Sequence, residues 1–121
     1  MKKIIQYQKM NNIIDLALLA AKVAALKNEK AKMMVESVSL AYNMAQVARF
    51  RSIIVELSTI CHYIVFNAQI KGTYTQNEYD LALECQRQIE ECNQQIAKYN
   101  MMTMKDGISL LMGMFGNLNK K

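Results

Sequence analysis

The first clear pattern in the chain is an apolar segment, Ile13 to Leu26, interrupted only by Asp15 and Lys22. Its large side chains fall on every side of a helix, so packing against one neighbour cannot cover them all. Ala17, Ala21 and Ala25 form one row of small residues, and Ala20 and Ala24 another. Such rows let a second backbone approach closely. Asn11 or Asn12 is placed to cap this helix, with Asp15 in its first turn where the helix dipole favours a negative charge. Lys2–Met10 reads either as an earlier part of the same helix or as an arm. Lys27-Asn28-Glu29-Lys30 is either a short turn or a solvated stretch of continuing helix.

A second helix is predicted from about residue 31 to 70. Its main stripe is Leu40, Met44, Val47, Phe50, Ile54, Leu57, Cys61, Ile64 and Ala68, spaced mostly three and four apart as a helix seam requires. Ile53 and Ile60 lie beside the stripe and widen the apolar face. Lys71-Gly72 then reads as a helix end, because glycine takes the left-handed conformation freely. Thr75 and Glu78 have the spacing of a capping box, so a new helix starts near residue 76.

The third helix carries Ala82, Cys85, Ile89, Cys92, Ile96 and Tyr99, an unbroken heptad alternation. Folding back at Gly72 lays this stripe against that of the second helix. The pattern therefore predicts an antiparallel helical hairpin, about 31–70 and 76–105, with its turn at 71–75. Asp106-Gly107 is read as a break. The tail at 106–121 is apolar at 108, 111, 112, 115 and 118, forms a short C-terminal helix, and ends in Lys120-Lys121.

Composition supports an all-α fold. There is no proline and there are only four glycines, whereas sheets need frequent turns rich in both. The chain of 121 residues is long enough for one domain, 1–121, and 52% hydrophobic residues suffice to fold it. The domain comprises a basic, apolar amino-terminal helix at 1–30, the hairpin at 31–105 and the tail, together forming a small helical bundle.

Charge is uneven. Residues 1–32 hold seven lysines against Asp15 and Glu29, which accounts for the whole net charge of +5. Such asymmetry suits either a solvated helix face or contact with an anionic polymer or membrane. Lys22, Lys27, Lys30 and Lys32, with Arg49 and Arg51 around Phe50, are the candidate phosphate contacts.

Three cysteines cannot close a disulfide framework. Cys85 and Cys92 lie about 10 Å apart along a helix and cannot bridge each other. Lys2, Lys3, the apolar run and Val23-Ala24-Ala25 imitate a signal peptide, but Asp15 and Lys22 fall inside its apolar region. No apolar run reaches the ~18 residues of a spanning helix. A cytoplasmic location with reduced thiols is the expectation.

Catalytic chemistry finds no foothold in the sequence. His62 is the only histidine; as the neighbour of Cys61 it points about 100° away on a helix and forms no dyad with it. Cys61, His62, Cys85 and Cys92 lack the close ligand pairs of a structural zinc site. The carboxylates Glu78, Asp80, Glu84, Glu90 and Glu91 form a solvated face. Glycine-rich phosphate loops, nucleophile elbows and paired-histidine zinc motifs are absent from the sequence. No catalytic, cofactor or metal residue, and no small-molecule substrate, is assigned.

The expected function is therefore non-enzymatic: a structural, assembly or adaptor protein acting through helix–helix association with itself or a protein partner. Its interface is assigned to Ile13, Leu16, Leu19, Leu26, Ile53, Ile60, Leu111, Met112, Phe115 and Leu118, the apolar side chains in excess of one small core. Two alternatives stand beside it. One is a nucleic-acid-binding subunit using the basic amino-terminal region; the other is a membrane-surface protein using the tail.

Overall fold

The structure, a computed structural model, describes the backbone of residues 2–119 and the side chains of residues 9–116. It is all-α, with three helices and, among the described residues, no strand: α1 (Lys2–Ala24), α2 (Glu29–Lys71) and α3 (Gln76–Asn119).

The helix ends follow local chemistry. Asn28 caps α2, its Oδ1 accepting the Ala31 N–H at 3.1 Å. At the other end Gly72 has φ +76°, a left-handed conformation that L side chains rarely adopt, and its N–H bonds the Ala68 carbonyl. The capping box of α3 is complete. Glu78 N–H donates to Thr75 Oγ1 at 3.1 Å, and Thr75 N–H to Glu78 Oε1 at 3.1 Å.

Two helix limits differ from the sequence reading. Asn11 and Asn12 lie inside α1 and do not cap it. The second difference is larger: α3 runs unbroken through Asp106-Gly107 to Asn119, so the tail is no separate helix. Gly107 is not among the positive-φ residues, and strong helix formers flank it on both sides. One glycine costs a helix about 1 kcal/mol, which tertiary contacts override.

Contacts divide the chain into two compact units, Met1–Tyr42 with Thr103–Lys121, and Asn43–Met102. In the second unit the seam is largely apolar. Phe50, Leu57, Ile64, Cys85, Cys92 and Tyr99 are buried, and the Phe50 and Tyr99 rings stack with centroids 6.3 Å apart. Cys61 Sγ approaches the Ala82 carbonyl at 3.9 Å. Asn43, Gln46 and Gln88 are buried among these groups.

The first unit has the opposite interior. Its buried side chains are Asn11, Ala25, Glu36, Ser39 and Asp106, mostly polar. Gly113 passes the Met33 side chain, so that a Cβ there would lie 3.7 Å from Met33 Cγ.

The α2 stripe needs one correction. Met44, expected inside, is 57% exposed, whereas Asn43, Ser39 and Glu36 are buried. A fault in the spacing announced this, because Met44, Val47 and Phe50 give two steps of three in succession. Unbroken alternation back from Phe50 and Val47 falls on Asn43 and Glu36. In the same way Asp106 occupies the next heptad position after Cys85, Cys92 and Tyr99.

Candidate functional site

Three features carry chemical potential: a polar network in the first unit, a set of thiols with one histidine in the second, and apolar surface on both.

The network is built from residues far apart in sequence. Asp106 accepts a hydrogen bond from Ser39 Oγ at 2.6 Å and an ion pair from Lys22 Nζ at 2.9 Å. One turn further along α3, Ser109 Oγ donates to Glu36 Oε1 at 2.6 Å. Tyr42 O–H donates to Asn11 Oδ1 at 3.1 Å, while Asn11 Nδ2 is buried with no acceptor among the described residues. Charged groups are buried at acceptable cost only when paired and hydrogen-bonded; Asp106 meets this with Lys22 and Ser39, and Glu36 takes a hydrogen bond from Ser109. The network joins α1 to α2 and α3 by directional bonds, where most bundles use apolar contact. Its chemistry is positional: every carboxylate in it already holds a donor.

The thiols sit along the α2–α3 seam. Burial pushes the Cys85 thiol above its ordinary value, with neighbouring Cys61 adding to the shift. Burial does the same for Cys92, helped by Glu91. Thiols held protonated are poor nucleophiles. His62 is exposed, and its Nδ1 lies 2.8 Å from the Ser58 carbonyl of its own helix, while the half-buried Cys61 approaches α3. The two do not meet. Among the described residues no group of three or more His, Cys, Asp or Glu side chains is placed to hold a metal ion.

The candidate phosphate contacts are divided between the two units. Lys22 is held by Asp106 and half-buried. Lys27, Lys30, Arg49 and Arg51 are exposed, and Lys32 is half-buried. Arg49 and Arg51 belong to the second unit and the lysines to the first.

The apolar surface is extensive. On α1, Ile13, Leu16, Leu19 and Val23 are all well exposed, as is Leu26 just beyond its end, with Leu16 at 68%. Leu16, Leu19 and Val23 are spaced three and four, the register of a helix seam, Leu26 follows in the turn, and no described residue covers them. Val23 was not among the residues assigned from sequence. On α3, Leu111, Met112 and Phe115 are exposed; Leu118 lies outside the described side chains. Ile60 is exposed and Ile53 half-buried.

The sequence reading missed most of the outer surface of the second unit. Val55, Tyr63, Val65, Phe66 and Ile70 on α2, and Tyr79, Leu81 and Leu83 on α3, are exposed. An open groove of about 770 Å³ runs between Ile64, Val65, Ala68, Tyr74, Tyr79 and Ala82, with the Tyr74 and Tyr79 rings stacked at 5.8 Å. Val65 and Gln69 also line a second groove of about 570 Å³ with His62, Tyr63 and Phe66. Five acidic or basic groups at the end of α2 and along the first half of α3 pair among themselves. Lys71 meets Glu78 at 3.0 Å, and Arg87 binds both Glu84 and Glu91. Lys71 holds Glu78 below the usual carboxylate range, and Arg87, aided by Gln88, lowers Glu84 to about 2.

One helix, α2, contains an 18-residue window of mean hydropathy 1.4, of which 11% is buried. By length and composition alone this window is sufficient to cross a membrane, a test that the core helix of a soluble protein also passes. It was not apparent from single apolar runs, because Glu56 and His62 interrupt them.

Comparison with known proteins adds nothing to this geometry: no family model, no curated protein and no solved structure matches the chain.

Proposed function

We propose that this chain is a non-enzymatic assembly protein, a helical hairpin with an amino-terminal helix that completes itself by associating with further copies. The observation that carries the reading is the amount and kind of surface left open. The chain exposes 8766 Å², whereas a compact monomer of 13.9 kDa exposes about 6,700 Å². The difference is comparable with the area that one subunit contributes to a large obligate interface. Much of it is Leu, Ile, Val, Met and Phe in helical rows, while polar groups occupy the interior of the first unit. Apolar patches of this size on a soluble chain belong to interaction sites.

The test is the mass in solution. Light scattering at tens of micromolar should give assemblies well above 13.9 kDa that shrink when Leu19 or Phe115 is changed to Lys, with helicity by circular dichroism preserved. A wild-type chain that runs as a stable monomer without partner or detergent removes the reading.

A further inference from the structure

Resting on that assembly reading, we infer how one copy meets the next: the α1 row Leu16, Leu19, Val23 and Leu26 seats in the groove at the α2–α3 turn of a second copy. Three observations select this pairing over α1 meeting itself.

The first is charge. The row is framed by the exposed lysines Lys9 and Lys27 in the segment that carries the chain's entire excess positive charge. Residues 71–91, which supply the groove's Tyr74, Glu78, Tyr79 and Ala82 and continue beyond it along α3, hold five acidic groups against Lys71 and Arg87. Two α1 helices laid together in either direction bring these lysines toward one another, whereas the groove offers the opposite sign.

Length is the second. Leu16 to Val23 spans about 10 Å of α1, with Leu26 just beyond its end, and the two grooves, which share Val65 and Gln69, follow α2 from Thr59 to Gly72, about 20 Å. The groove therefore accommodates the whole row.

Chemistry is the third. The groove is walled by Ile64, Val65, Ala68 and Ala82 with Tyr74 and Tyr79 at its mouth. Small residues in its lining, Ala68, Gly72 and Ala82, admit an approaching helix, and tyrosines give large contact area at low entropic cost.

Such a contact joins different surfaces on the two copies. Each copy then keeps one free row and one free groove, so the contact repeats and builds an open polymer unless the rotation closes a ring.

The experiment uses two full-length variants at exposed positions, where folding is least disturbed: Leu19→Glu, which spoils the row, and Val65→Lys, which spoils the groove. Circular dichroism checks helicity, and Leu16→Gln with Tyr79→Ala provide a second, milder pair. Each variant alone should associate about ten- to hundredfold more weakly than wild type and run as a monomer. Mixed, they should form a discrete complex of two chains, because the intact groove of the first takes the intact row of the second. If Leu19→Glu dissociates the assembly while Val65→Lys leaves it full-sized, or if the mixture stays monomeric, this pairing is overturned and assembly in general stands. A monomeric wild type overturns both.

Discussion

The two compact units of the chain solve the problem of helix association in opposite ways. In Asn43–Met102 the interior is built on Phe50, Leu57, Ile64, Cys85, Cys92 and Tyr99, as apolar periodicity demands. In the unit formed by the chain ends, Glu36, Ser39, Asn11 and Asp106 face inward, and Ile13, Leu16, Leu19 and Leu111 face out. One unit draws its cohesion from area removed from water. The other uses bonds that satisfy buried polar atoms, and its hydrophobic residues remain available at the surface. A chain selected for stability as a lone monomer has no use for the second arrangement, which accords with the assembly proposed above.

The sharpest way to break this contrast is to empty the apolar seam. Phe50 is fully buried against Tyr99, so Phe50→Ala should cost about 3–5 kcal/mol in urea unfolding. A loss below about 1 kcal/mol, the level of a surface change, would show that this unit does not depend on its seam.

The polar network should respond more weakly, and in a telling way. Asp106→Ala takes one acceptor from buried Ser39 and the counter-charge from half-buried Lys22, a loss of about 1–3 kcal/mol. Replacing all three at once, with Lys22→Met, Ser39→Ala and Asp106→Leu, should recover most of that loss, because an apolar set of similar volume is often as stable as a buried ion pair. If the triple variant unfolds at the same urea concentration as Asp106→Ala or lower, the network contributes net stability and the contrast between the units narrows.

Two glycines give a smaller, signed pair. Gly107→Ala, in open helical space, should stabilise by about 0.5–1 kcal/mol, and Gly72→Ala, at φ +76°, should destabilise by about 1–2 kcal/mol. Equal signs in thermal unfolding would contradict the continuous α3.

The smallest effect is electrostatic and lies on the exposed face of α3. Arg87 holds Glu84 at about 2, below its ordinary 4.5, so the stabilisation it supplies is present above pH 4.5 and is lost as pH falls through about 2. Arg87→Gln should therefore lower the unfolding midpoint slightly near neutral pH, by a difference that shrinks as pH falls from 4.5 and vanishes only below pH 2. A difference that persists at the acid end would assign the effect to something other than this pair.

Sequence alone determined what depends on neighbours in the chain. The stop at Lys71-Gly72, the start at Thr75 and Glu78, and the seam from Leu57 to Tyr99 were legible because capping, glycine conformation and heptad spacing are local. The exposed Leu16, Leu19 and Leu26 were legible as an excess of apolar residues around one helix. Tertiary structure decided the rest. Asp106-Gly107 has the look of a helix end, yet α3 continues, because Asp106 finds Ser39 and Lys22, 67 and 84 residues away. Met44 yields its place to Asn43, and Glu36 turns inward to Ser109, 73 residues distant. Hydrophobic periodicity detects burial that apolar area drives. Burial that rests on a hydrogen-bond partner is decided only when the fold brings that partner within about 3 Å.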